Sequence, residues 1–286
     1  MRAIGRVVAV LCVGLCACGE RPAERAERLY QSARAEWSAG RAREATALVE
    51  RAVAADGGHA PAGLLLSELL IRAGRLVEGE AAAERVLSVS AECAEAHYLV
   101  GQAREAQARA EEARAAYRRA LQYAPDSAQA ALALARVCRQ LGQSDEAIEA
   151  WRRVIAARPS DATAHWHLAL LYDQLGRDEA ALQTYQRAVE LAPDSPEAHY
   201  GLGKVYYRLS RFSEAILSLK RAVECRPDFA EARYGLALVQ LATGDRASAL
   251  AEYLKLREYD SQLAEELYAF YREGRHVLPR SLPTEP

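Results

Sequence analysis

The sequence predicts an all-α fold: an α-solenoid of seven 34-residue helix-turn-helix repeats closed by a C-terminal capping helix. Three observations predict it. From Ala26 to Leu263 the chain repeats every 34 residues, seven times in one register, the signature of stacked units that bury their apolar faces against one another. Position 8 of the repeat (Ala33, Ser67, Gly101, Ala135, Ala169, Gly203, Ala237) and position 20 (Ala45, Gly79, Ala113, Ala147, Ala181, Ala215, Ala249) are small in every copy, as the close crossing of two helices requires. Position 15 (Gly40, Gly74, Ala108, Gly142, Gly176, Ser210, Gly244) is glycine in five copies, which suits a left-handed residue in the turn between helices.

The elements follow in order. Residues 1–17 read as a secretory signal: Arg2 and Arg6, then the apolar run Val7 to Leu15. The run is shorter than the ~20 residues that span a bilayer. It ends in Leu15-Cys-Ala-Cys18, which resembles the bacterial lipobox, so Cys18 is expected to carry lipid. Gly19 holds no inner-membrane retention signal by that analogy. The resemblance implies a lipid-anchored location in the bacterial cell envelope, at the outer membrane and facing the periplasm. Residues 18–25 form the lipidated Cys and a short tether, reaching on the order of 25 Å at ~3.5 Å per extended residue.

The repeats are 26–59, 60–93, 94–127, 128–161, 162–195, 196–229 and 230–263. Within them the apolar period is helical. Leu202, Val205 and Tyr206 mark one buried face of a first helix; Ala215, Leu219, Ala222 and Val223 mark a second. Pro125, Pro159, Pro193 and Pro227 at position 32 stop the second helix of the central copies. Asp260 or Ser261 caps a final helix over 261–274, overlapping the last repeat, with Leu263, Leu267 and Phe270 on one face. The tail 275–286, with Pro279, Pro283 and Pro286, is expected to be disordered.

The segment Pro196 to Phe229 resembles a tetratricopeptide repeat: His199, Leu202, Gly203, Tyr206, Ala215, Leu219, Ala222 and Pro227 stand where that family has its signature residues. The first two copies depart most, with Gly57 and Ala91 in place of proline and Val49 and Ala83 at position 24. Terminal repeats cap the stack and are expected to differ. The resemblance implies a right-handed superhelix whose first helices line a concave groove with positions 2, 5, 6, 9, 12 and 13. The groove residues it implies are Tyr98, Arg136, Trp166, His167, Tyr200, Lys204, Tyr207 and Tyr234. An aromatic groove with scattered basic residues suits an extended or helical peptide bearing apolar anchors and some acid. The family's chaperone-tail site needs a lysine and asparagine pattern over three consecutive copies that is absent here; position 6, for instance, runs Gln31, Leu65, Leu99, Ala133, His167, Gly201, Gly235.

Other chemistries find little footing. The chain is 51% hydrophobic and 27% charged, an ordinary globular balance. Its net charge of −2 falls to about −4 once Arg2 and Arg6 leave with the signal, which argues against nucleic acid. Position 26 is basic in every copy (Arg51, Arg85, Arg119, Arg153, Arg187, Arg221, Lys255). Late in a helix this reads as a solvated face favoured by the dipole rather than a phosphate track. Cys93, Cys138 and Cys225 fall in different repeats; Cys138 and Cys225 are expected as buried small hydrophobes. His97, His165 and His199 share position 4, a packing position. There is no Gly-x-Ser-x-Gly, phosphate loop or His-Glu-x-x-His, so neither an enzyme nor a metal or cofactor protein is expected.

The expected function is therefore that of a membrane-anchored scaffold for protein–protein interaction, binding peptide segments of envelope complexes. The alternative is an accessory subunit that presents substrate in a glycan or exopolymer synthesis or export system.

Overall fold

The structure, a computed structural model, describes residues 20–273 and Leu282. The expected signal, Cys18 and the rest of the tail lie outside the described residues. These form helices joined by short turns, in two compact units that divide between Tyr123 and Ala124.

The first unit holds three hairpins: α1 (Pro22–Ser38) with α2 (Ala42–Ala55), α3 (Ala60–Arg72) with α4 (Leu76–Val89), and α5 (Ala94–Ala106) with α6 (Ala110–Tyr123). The second holds four more: α7 (Ala128–Gln140) with α8 (Ser144–Ala157), α9 (Ala162–Gln174) with α10 (Asp178–Leu191), α11 (Pro196–Arg208) with α12 (Phe212–Cys225), and α13 (Ala230–Ala242) with α14 (Arg246–Tyr259). It ends in α15 (Ser261–Glu273), which packs on α13 and α14. Within each unit a hairpin's second helix packs on the first helix of the next hairpin.

The small residues do what their size allows. All of positions 8 and 20 are buried, and Ser67 Oγ donates to the Gly79 carbonyl at 2.8 Å across one crossing. The turn residue at position 15 is left-handed in every copy, including Ala108 (φ 60°) and Ser210 (φ 58°). Caps close the helix starts: the side chains of Ser127, Asp161 and Ser195 accept from the backbone N–H groups of Ala130, Ala164 and Ala198 at 3.3, 3.0 and 3.2 Å. Asp260 caps α15 by accepting from the Leu263 N–H at 3.0 Å.

Position 4 acts as a latch between consecutive repeats. The Nε2 of His97, His165 and His199 donates to the carbonyls of Ala91, Pro159 and Pro193 at 2.9, 3.2 and 2.8 Å. Arg233 does the same to Pro227 at 2.7 Å. Each bond satisfies a carbonyl freed where the preceding second helix ends.

A second contact fills the seam between repeats, pairing position 24 with position 6 of the next copy. Val49 shares a buried cluster with Leu65, and Ala83 shares one with Leu99. Trp151 stacks on His167 with centroids 4.6 Å apart. The Tyr185 ring covers Gly201, and Leu219 approaches Gly235. In three of these pairs a large side chain meets alanine or glycine, while Trp151 and His167 fill their seam by stacking two rings.

Three expectations change. Helix α1 starts at Pro22, inside the segment read as tether, because Pro22 is suited to a first helical position and the Glu24 carboxylate accepts from both the backbone N–H and the guanidinium of Arg21 across the first turn. Cys225 is half-buried rather than buried, whereas Cys138 is buried. The tail was expected without fixed contacts, yet Leu282 is 3% exposed, with its Cδ1 2.8 Å from where a Cβ on Gly235 would stand. The basic residues at position 26 are all exposed, and several pair with nearby acids, as Arg187 does with Glu190 at 2.8 Å and Arg221 with Asp194 at 2.8 Å.

Candidate functional site

Among the described residues, the groove positions of the second unit include a closed floor and an open pocket. The floor comes from α11 and α13. Tyr200, Lys204, Tyr207 and Tyr234 are all buried, at 0, 6, 7 and 4% exposure. Tyr200 packs edge-on against Phe229 at 5.0 Å, and Tyr207 lies 6.0 Å from Phe212. Burial raises the Tyr207 phenol and pushes Tyr234 up to about 12, helped by the charge of Glu266.

Lys204 is not a spare cation. Its ammonium lies 3.2 Å from Asp173 Oδ2 and 5.6 Å from the Tyr200 ring centre. Arg208 also donates to Asp173 and reaches Asp178 at 2.6 Å. The Asp173 side chain is 4% exposed. The buried Lys204 and the half-buried Arg208 thus share one buried carboxylate, with Asp178 completing the balance. The sequence reading found Lys204 and missed Asp173 and Arg208. Both occupy groove positions (12 and 13), but residue type alone does not reveal that they pair with each other across adjacent first helices.

Trp166, on α9, faces a different environment. In two copies position 5 packs on a ring at position 34 of its own repeat. In the first copy Tyr30 packs on His59 with centroids 5.5 Å apart, and in the sixth Tyr200 packs on Phe229. In the fifth, position 34 is Ser195, which caps α11 and brings no ring. Beside the half-buried Trp166 an open pocket of about 420 Å³ remains, lined by Ala162, Thr163, Ala188, Ala192, Ser195, Glu197 and Ala198. That volume lies within the usual range for ligand sites. Its walls are mostly methyl groups and one indole, with hydroxyls at the rim. The rim carboxylate of Glu197 is paired with Arg226 at 3.0 Å.

His167 does not look into open groove. Its ring is held between Trp151 and Trp166, 4.6 and 4.5 Å away, and its buried Nδ1 has no hydrogen-bond partner. Burial, assisted by the nearby charge of Arg139 and opposed by Asp161, lowers its pKa to about 4. It is neutral near pH 7 and acts as a packing ring.

The remaining candidates stand apart. Arg136, on α7, is exposed. Tyr98 belongs to the first unit, on α5, where it accepts from Gln102 Nε2 at 2.9 Å and packs 5.8 Å from the Tyr117 ring. Among the described residues no group of three or more His, Cys, Asp or Glu side chains is placed to hold a metal ion, and no helix is long and apolar enough to cross a membrane.

Comparison with known proteins adds the following. One tetratricopeptide repeat family model matches residues 101–151, 132–196 and 200–264, and a second matches 36–103. No curated protein matches the chain in sequence. Solved structures with a similar fold include YrrB, described as "a TPR protein with an unusual peptide-binding site": 20% identity, 63% of this chain and 93% of that one, TM-score 0.59. MamA protein aligns at 23% identity over 66% of this chain and 100% of that one, with a TM-score of 0.56. Pseudomonas aeruginosa pilF aligns at 15% over 73% and 96%, with a TM-score of 0.57.

Proposed function

The chain belongs to the tetratricopeptide repeat family, and from that premise we propose that it is a protein–protein interaction scaffold whose second unit binds an extended peptide segment beside Trp166. The observation that carries this reading is the open pocket at Trp166: Ser195 at position 34 brings no ring, where Phe229 and His59 pack on the position-5 ring of the sixth and first copies. An aromatic anchor flanked by small apolar residues is the kind of place where binding energy concentrates. The fitting ligand is an extended segment with one apolar or aromatic side chain for the pocket, its backbone within reach of the Thr163 and Ser195 hydroxyls. An acidic ligand is no longer favoured, because Lys204 is buried against Asp173. YrrB, whose own description mentions a peptide-binding site, lends the reading support by analogy of fold.

The scaffold is tethered to the bacterial envelope through lipid on Cys18 in this proposal, which rests on Arg2, Arg6, the apolar run from Val7 to Leu15 and the Leu15-Cys-Ala-Cys18 sequence. Its ligands are then segments of envelope complexes.

Two experiments test these claims. A photo-crosslinking residue at the exposed Thr163 should capture a small reproducible set of envelope proteins in the native host, with capture lost on adding Trp166→Glu. Adducts that persist with Trp166→Glu would refute the pocket. Metabolic labelling with an alkynyl fatty acid should mark the wild-type chain and not Cys18→Ser; equal labelling, or none in either, would refute the anchor.

A further inference from the structure

The seams between repeats are filled to different degrees by the two residues that face each other there. Four do it from within: Val49 with Leu65, Ala83 with Leu99, Trp151 with His167, and Tyr185 with Gly201. The last, Leu219 on α12 with Gly235 on α13, brings no more side-chain atoms than one leucine. Leu282 supplies the difference. Its Cδ1 lies 2.8 Å from an ideal Cβ on Gly235, while Leu219 Cδ2 lies 3.5 Å from that point, and Leu282 is 3% exposed. With it, the seam holds as many side-chain heavy atoms as Tyr185 brings to Gly201.

Among the described residues, Leu282 differs from the other seam residues in belonging to no helix. It stands nine positions past Glu273, the last residue of α15. A core leucine on a helix leaves only when the helix unfolds; a leucine outside the helices can leave alone.

We propose that the seam at Gly235 is a leucine-accepting subsite held in cis by Leu282, and that a leucine-bearing peptide segment enters it only by displacing that side chain. The proposal shares with the Trp166 reading the premise that the second unit binds peptides, but it concerns a separate place. Tethering gives Leu282 a high effective concentration, so a competing segment meets a subsite already occupied most of the time.

The test uses the full chain and a fluorescein-labelled peptide with the sequence of Val277–Pro286. Leu282→Asp, and the milder Leu282→Ala, should bind this peptide at least about tenfold more tightly than the wild-type chain, because the cis competitor is gone. Adding Gly235→Ala should reduce that binding at least about tenfold, since the new methyl takes the leucine's place. Trp166→Glu should leave it unchanged, so that failure here and failure of the Trp166 pocket are told apart. The proposal is overturned if neither Leu282 variant binds better than wild type, or if Gly235→Ala has no effect on binding. It is equally overturned if both Leu282 variants lose their helical circular dichroism at room temperature, for Leu282 would then be a core residue.

Discussion

Gly201→Ala tests the packing rule on which the seam account rests. Glycine inside a helix costs about 1 kcal/mol relative to alanine, so at an unobstructed site the substitution would stabilise α11. Here the added Cβ would stand 2.3, 2.4 and 2.7 Å from Tyr185 Cζ, Cε1 and Oη, well inside the ~3.5–4.0 Å of carbon–carbon contact. The ring must move by more than 1 Å, and Tyr185 is 1% exposed. Overpacking of this kind costs about 1–3 kcal/mol. The confinement of the ring places this case in the upper half of that range, so the net expectation is a loss of about 1–2 kcal/mol. Urea unfolding followed by circular dichroism measures it, and a cycle with Tyr185→Leu isolates the contact. The shorter side chain leaves room for the methyl, so the double variant should lose at least about 1 kcal/mol less than the two single losses combined. A gain in stability from Gly201→Ala, or a cycle additive within about 0.5 kcal/mol, would refute the reasoning.

Further predictions follow from other contacts. Asp173→Ala leaves the buried Lys204 without its carboxylate, while Arg208 keeps Asp178, and should destabilise the chain by about 3–5 kcal/mol; adding Lys204→Met should recover part of that in the same urea titration. His167, its pKa lowered by burial from the usual 6.5 to about 4, binds its proton more readily in the unfolded chain. Its contribution is therefore present above pH 6.5 and declines as pH falls toward about 4. His167→Phe should flatten this part of the stability–pH curve, and NMR titration should show the imidazole still neutral at pH 5. Ala108→Gly relieves a left-handed non-glycine residue (φ 60°) and should raise stability by about 0.5–1 kcal/mol by thermal unfolding.

The repeat made the helices, turns and crossings legible, because each rests on a local requirement visible in residue type: a small residue where helices meet, a left-handed residue at position 15, a cap at the next start. The early start of α1 was written in Pro22 and Glu24, but the 34-residue register drew attention to Ala26 instead. The site was less legible. A position list assigns Tyr200 and Trp166 the same role, yet one is buried against Phe229 and the other borders a pocket, because a residue 29 positions on in each copy differs. Lys204 looked like a ligand-binding cation until Asp173 was found against it. Leu282 gave no signal at all in sequence, since its role comes from a vacancy between Leu219 and Gly235 that only the packed structure exposes.

The most direct measurement of the central claim is the affinity of a peptide selected from a random phage library on the full chain, compared across three variants. Ser195→Phe copies Phe229 of the following repeat and should fill the pocket, Trp166→Glu should remove its apolar wall, and Leu217→Ala alters an exposed leucine of α12 that does not line it. The account predicts at least about a tenfold loss in the first two, worth about 1.4 kcal/mol or more, and no change in the third. Unchanged affinity for Ser195→Phe and Trp166→Glu, with loss confined to Leu217→Ala, would contradict it.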